Sequence, residues 1–221
     1  MKALSRQRPD DLAPGESRFF FVVSLLPLLF SAGYTLIMHH VGTQTIITKR
    51  LILRRFTNED IEPAFRNWTG DSLTTTFLRW QTHRDSSVTR KVVTDWIGHY
   101  VEPAFYQWAI VPKETGEPIG TISFTSANEK TNSVHVGYCI GSRYWHQGYT
   151  SEALAALIAF AFTTLEAGRV EAMHDPANRY SGKVMEKCGM RHEGTLRKAD
   201  WSNRGIVDAA VYGILREEFR D

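Results

Sequence analysis

Cysteine is nearly absent: the chain has two, Cys139 and Cys188. None of its 8 histidines falls into an H-x₃₋₅-H pair, and there is no C-x-x-C, so the spacing of a structural zinc site is missing. Two isolated thiols make no disulfide scaffold and fit a reducing cytosol. An excess of either charge is also missing. The 26 Lys and Arg stand against 24 Asp and Glu, a net charge of +2, which argues against a broad nucleic-acid footprint. Glycine (16) and proline (8) are too sparse in 221 residues for a collagen-like or low-complexity chain. What is present, 43% hydrophobic and 23% charged residues, is the composition of a globular protein with a real core.

One long hydrophobic run breaks this uniformity. Residues 19–38, FFFVVSLLPLLFSAGYTLIM, carry no charge and could span a bilayer. Lys2, Arg6, Arg8 and Arg18 precede the run, as in a signal anchor, and no clear A-x-A cleavage site follows it. Three readings stand open for residues 1–37: an over-extended start, with Met38 beginning the domain, a membrane anchor, or a docked apolar helix. Residues 38–221 read as one domain without linkers or repeats.

Within that domain, residues 46–55 (IITKRLILRR) suit one strand, with Ile47, Leu51 and Leu53 on one face. Thr57 and Asp60 have capping-box spacing, and Pro63 should disturb the helix they open. Asp85 or Ser86 caps a helix in which Val88, Val92, Val93, Trp96, Ile97 and Tyr100 recur at helical spacing. Strands are expected at 106–112, 118–125 and 133–140, joined by short turns and so antiparallel. A helix over 151–165 follows, then a strand at 169–174. The next helix, 178–188, has Asn178 as N-cap and Gly189 as its stop, and strands at 191–197 and 207–215 close the chain. This order indicates a mixed α/β fold around one central sheet.

The most informative stretch runs strand, loop, helix: VHVGYCI, then GSRYWHQGYT, then the helix from Ser151. A loop entering a helix N-terminus presents unpaired N–H groups and the positive end of the helix dipole, a natural anion site. Gly148 would let the backbone approach a phosphate closely.

From about Thr45 onward the chain resembles the N-acetyltransferase (GNAT) family, in its ribosomal-protein alanine acetyltransferase (RimJ/RimL-like) branch. TKRLILRRFTNED, GEPIGTISF, VGYCIGSRYWHQGYTSEAL, NRYSGKVMEKCGMRHEGTLR and VDAAVYGILREEF carry the resemblance, in the family's order. It implies a mostly antiparallel, twisted central sheet with helices on both faces. It implies acetyl-CoA as cosubstrate, bound without a metal. Pyrophosphate contacts would come from the N–H groups of His146, Gln147, Gly148, Tyr149, Thr150 and Ser151. Thr150 departs from the family's small residue. Cys139 and Ile140 would align the pantetheine arm along the strand edge, with Asn178 beside that arm and Ser181 near the sulfur.

The chemistry is attack of a neutral amine on a thioester, which needs a proton acceptor, an oxyanion donor and a proton for the leaving thiolate. Many relatives carry Glu two residues before the Gly-Tyr pair. His135 stands there in this chain and is the candidate general base; the alternative is a sheet histidine that only packs. The place of the relatives' acidic tyrosine is taken by Met185, which leaves Ser181 or water as the acid. Cys139 is weighed as a nucleophile and set aside, because no motif places a base beside it. The expectation is a cytoplasmic N-acetyltransferase, monomer or homodimer, acting on a primary amine such as a protein N-terminus, without nucleic acid. A membrane would be a partner only if residues 19–38 are a real anchor. The competing readings are a non-catalytic acyl-CoA sensor and an enzyme of small amines or antibiotics.

Overall fold

A computed structural model describes residues 38–220; the apolar run before Met38 and the readings attached to residues 1–37 lie outside these residues. An eight-stranded sheet organises the described chain. It contains β1 (Ile46–Ile47), β2 (Leu51–Arg54), β3 (Gln107–Pro112), β4 (Gly120–Asn128), β5 (Ser133–Ile140), β6 (Arg169–His174), β7 (Arg191–Ser202) and β8 (Gly205–Leu215). Their spatial order is β1-β2-β3-β4-β5-β6-β8-β7. Every pairing is antiparallel except β5 with β6, the step where a helix crosses over.

Helices cover both faces. α1 (Ile61–Ala64) and α3 (Ser86–His99) lie on one, with the short α2 (Ser72–Thr75) between them in sequence, and α4 (Tyr149–Thr163) and α5 (Arg179–Lys187) on the other. The alternation of β3 feeds both layers. Trp108 and Ile110 enter the core under α4, while Ala109 and Val111 enter the smaller core with Phe56, Ile61 and Trp68. Met38, the first described residue, is itself buried in the larger core.

Local signals set most element ends. Thr57 and Asp60 form the expected capping box, and the Asp85 carboxylate accepts from the Ser87 N–H to start α3. Pro63 sits in a helix that regular α geometry holds for only four residues before a wider π-type turn at Phe65–Thr69. Gly189 stops α5 with φ +83°.

Two expectations need correction. Residues 46–55 are two strands, because the chain reverses at Thr48–Arg50 and pairs Ile46 with Leu53. The Thr48 hydroxyl accepts from the Leu51 N–H at 2.9 Å, and the turn leaves Ile47 69% exposed. The closing strands are longer than the sequence pattern suggests, β7 running to Ser202 and β8 starting at Gly205. Their outer residues pair with each other rather than with a core, so no burial pattern marks them.

Candidate functional site

The site begins where two parallel strands part. β5 and β6 pair only through Ser133, Val134 and His135, opposite Arg169, Val170 and Glu171. Beyond His135, residues 136–140 keep β4 as their strand partner, and among the described residues no strand pairs with their other edge. Such an edge offers main-chain donors and acceptors to an extended ligand. Tyr138 spans the gap: its hydroxyl lies 3.0 Å from both the carbonyl oxygen and Oγ of Ser181 at the start of α5. Burial raises the Tyr138 pKa far above the ordinary phenol value, so the hydroxyl keeps its proton.

The gap opens into a cleft of about 670 Å³. Gly148 is the N-cap of α4, with φ +78°, and His146 before it is also left-handed, at φ +61°. Two such residues turn the chain sharply into the helix. The first bond of the new turn runs from Glu152 N–H to the Gly148 carbonyl, which leaves the N–H groups of Tyr149, Thr150 and Ser151 without a partner one turn back. A Cβ on Gly148 would stand 3.4 Å from the Arg50 guanidinium, so the bend is also closely packed. Arg50 secures the loop from behind. It bonds Glu152 at 2.6 Å and the Gln147 carbonyl at 2.9 Å, and it lies 4.5 Å over the Tyr149 ring.

Across the cleft, α5 supplies Arg179, Lys183 and Lys187, one per turn, and among the described residues no carboxylate lines the cleft. With the helix dipole these cations make the cleft favourable to a polyanion. The remaining wall carries Thr74, Phe77 and Leu78. The turn between β7 and β8 holds this wall from a distance. Asn203 N–H bonds the Leu78 carbonyl at 2.9 Å, and its amide bonds the carbonyls of Thr75 and Trp80 at 2.8 Å. Arg204 stacks over Phe77 and pairs with buried Asp175 at 2.7 Å.

Of the residues expected from sequence, Cys139, Ile140, His146, Gly148, Thr150, Ser151, Asn178 and Ser181 line this cleft. Gln147 lines a neighbouring depression with Arg50 and Lys187. The Tyr149 side chain points elsewhere, its hydroxyl 3.0 Å from Glu114, so any contact it makes in the cleft is through its backbone. Asn178 occupies the N-cap position of α5 but makes no side-chain cap bond, contrary to the expected capping role. The Cys139 thiol is pushed up to about 12 by burial, which removes the thiolate a nucleophile needs.

His135 is the last β5 residue paired with β6, on the face that also holds Cys139. It does not line the cleft itself. Its Nδ1 is 3.0 Å from Thr125 Oγ1, and its Nε2 is sealed from solvent without a hydrogen-bond partner. Burial lowers its pKa below the ordinary imidazole value, which keeps it neutral near pH 7. Among the described residues no three side chains of His, Cys, Asp or Glu converge as metal ligands.

Tyr138, the α5 cations and the Thr74–Phe77–Leu78 wall were not anticipated as site residues. The cations could have been found, because 179, 183 and 187 share one helix face at i, i+4 spacing. The wall could not, because it is assembled by contacts across more than a hundred residues.

Residues 50–191 match the acetyltransferase (GNAT) domain family. An uncharacterised N-acetyltransferase, p20, of Bacillus licheniformis is 29% identical over 176 residues, covering 80% of this chain and 98% of that protein. The crystal structure of a GNAT-family acetyltransferase from Bacillus anthracis superposes with a TM-score of 0.70 at 26% identity, covering 79% of this chain and 99% of that one. The [ribosomal protein uS5]-alanine N-acetyltransferase of Escherichia coli is 31% identical over 97 residues, covering 43% of this chain and 50% of that enzyme.

Proposed function

The chain belongs to the GNAT family of acetyltransferases, and from that premise we propose that it acetylates the primary amine of a protein N-terminus. The parent activity is acetyl-CoA-dependent transfer of an acetyl group to an amine. One observation carries the fit of acetyl-CoA to this cleft: the free edge of β5 and the open first turn of α4 border the same cleft. An extended pantetheine would pair along residues 136–140, and the pyrophosphate would meet the N–H groups of residues 146–151. Arg179, Lys183 and Lys187 add charge for the remaining phosphate. Bound there, acetyl-CoA supplies the thioester carbonyl that the amine attacks.

The residues have separable tasks. His135, set back from the cleft, takes through one water the proton that the ammonium must lose, supported by its neutral state and its position at the strand divergence. Ser181 relays a proton to the departing sulfur and takes its replacement from water, while Tyr138, 3.0 Å away and still protonated, holds the serine hydroxyl in place. Asn178, free of any cap bond, has its amide available to the pantetheine. Much of the rate comes from holding two substrates together. The two free thiols fit a cytoplasmic site of action.

The half-length similarity to the uS5-alanine enzyme and the sequence resemblance to that branch support a peptide acceptor over a small amine. A second reading, an acyl-CoA sensor without turnover, is favoured by two features. Met185 is buried where relatives place an acid, and His135 Nε2 is enclosed. A thiol-release screen with acetyl-CoA against N-terminal peptides and a panel of small amines separates these readings. Turnover confined to peptides is the expected result. Turnover of small amines alone removes the peptide assignment, and tight acetyl-CoA binding with no turnover leaves the sensor.

A further inference from the structure

Strand β4 carries one residue more than its partner needs. Phe124 pairs with Val136 and Ser126 with His135, so Thr125 is the extra residue of a bulge. The bulge turns the Thr125 side chain onto the face of β5 that holds His135 and Gly137. Its methyl group fills the space over Gly137, where a Cβ would lie 2.8 Å from Thr125 Cγ2. Gly137 is therefore the gap that lets Thr125 lie down, and the wedged methyl sets the direction of the hydroxyl.

One hydroxyl proton serves two neighbours here. Thr125 Oγ1 is 3.2 Å from the His135 carbonyl oxygen and 3.0 Å from His135 Nδ1. A carbonyl only accepts, so a hydroxyl proton given to it leaves Oγ1 an acceptor toward the ring and matches a proton on Nδ1; a hydroxyl proton given to Nδ1 would instead put the ring proton on Nε2, a buried donor with no partner. Three charged side chains face the ring from other elements: Glu171 on β6, Arg79 on the α2–α3 connection and Asp200 on β7. Each is engaged elsewhere, Glu171 by Arg169 at 3.1 Å and Arg79 with Asp200 at 2.8 Å, and none bonds Nε2.

We propose that Thr125 is a positioning residue that holds His135 as the Nδ1–H tautomer, leaving the Nε2 lone pair to accept, through one relaying water, the proton of the acceptor amine. The proposal rests on the reading of His135 as the general base. A wrong tautomer presents a hydrogen where a lone pair is required, and it does so without disturbing the fold. Thr125 is exposed on the outside of the bulge, so substitutions there leave the core intact.

Long-range ¹H–¹⁵N correlation spectra of the full chain with ¹⁵N-histidine read the tautomer directly, with His135→Ala identifying the signals. Above the His135 pKa the wild type is expected to carry its proton on Nδ1. Thr125→Ser keeps the hydroxyl and should keep that tautomer. Thr125→Val keeps the methyl wedge, should lose the tautomer, and should lower kcat about tenfold to a hundredfold, the range usual for losing a partner that orients a functional imidazole. KM for acetyl-CoA should not move. A wild-type proton on Nε2, or an unchanged spectrum in Thr125→Val, overturns the proposal. A tautomer that switches while kcat stays constant overturns the base reading beneath it, and the catalytic importance of Thr125 falls with it.

Discussion

Two of the walls around the cleft are made of different material. The α4 wall is backbone: N–H groups, a left-handed glycine and an open strand edge. The Thr74, Phe77 and Leu78 wall is side chains, held by Asn203 and Arg204 from a hairpin far along the chain. Backbone groups are the same whatever the residue, so the first wall can carry Thr150 without losing its donors. The second wall changes with every substitution, which suits the part of a site that meets a variable acceptor.

This contrast predicts that mutations divide cleanly by kinetic parameter. The largest effect is expected at His135. His135→Ala should lower kcat by about 10²–10³ with acetyl-CoA affinity intact. Because burial disfavours its charged form, the rising limb of kcat/KM with pH should lie below the ordinary value of about 6.5, and the alanine variant should lack it. Wild-type rate and limb in that variant would return His135 to a packing role.

Next comes the backbone wall. Gly148→Val forces a branched residue to φ +78° and should weaken acetyl-CoA binding by about 2–4 kcal/mol, with less change for the amine. Calorimetric titration, with circular dichroism as a check on folding, measures this; an unchanged affinity in a folded variant removes the loop from the cofactor site.

The side-chain wall should give the reverse pattern. Asn203→Ala strips partners from the Thr75 and Trp80 carbonyls and should cost about 1–3 kcal/mol of stability. KM for the acceptor should rise while that for acetyl-CoA stays. Equal changes in both would merge the two walls into one unit.

The smallest effect concerns acid. His83, His135 and His174 all have pKa values lowered by burial. Between those values and the ordinary one near 6.5, the unfolded chain binds more protons than the folded chain. Their contribution to stability is complete above that ordinary value and drains away as pH falls. His99 has the opposite shift, but it is solvent-exposed and weighs less. Urea midpoints should therefore fall between pH 7.5 and 5.5, and a flat or rising midpoint contradicts the sign.

Much of the backbone wall was legible in the sequence because its causes are local. β5 and β6 fall where their patterns place them, and α4 starts two residues before Ser151. Gly148 was singled out by its place before a helix, and its positive φ is the reason a glycine serves there. The rest depends on partners distant in sequence. The Thr48–Arg50 reversal needs Glu152, the Thr74–Leu78 wall needs Asn203, and the bridge from Tyr138 to Ser181 joins a strand to a helix about forty positions on. The bulge at Thr125 shows only once the register of β4 against β5 is known.

Arg50, Thr48 and Glu152 have a thermodynamic consequence. Glu152 accepts from the Thr48 hydroxyl, the Arg50 N–H and the Arg50 guanidinium, and Arg50 also grips the Gln147 carbonyl. The anion loop is thus knotted to the far edge of the sheet before any ligand arrives. Ordering entropy that a loose loop would lose on binding has already been lost on folding. Cofactor association at this end should be a docking event, with backbone amide exchange across residues 146–152 nearly as slow in the free protein as in the complex.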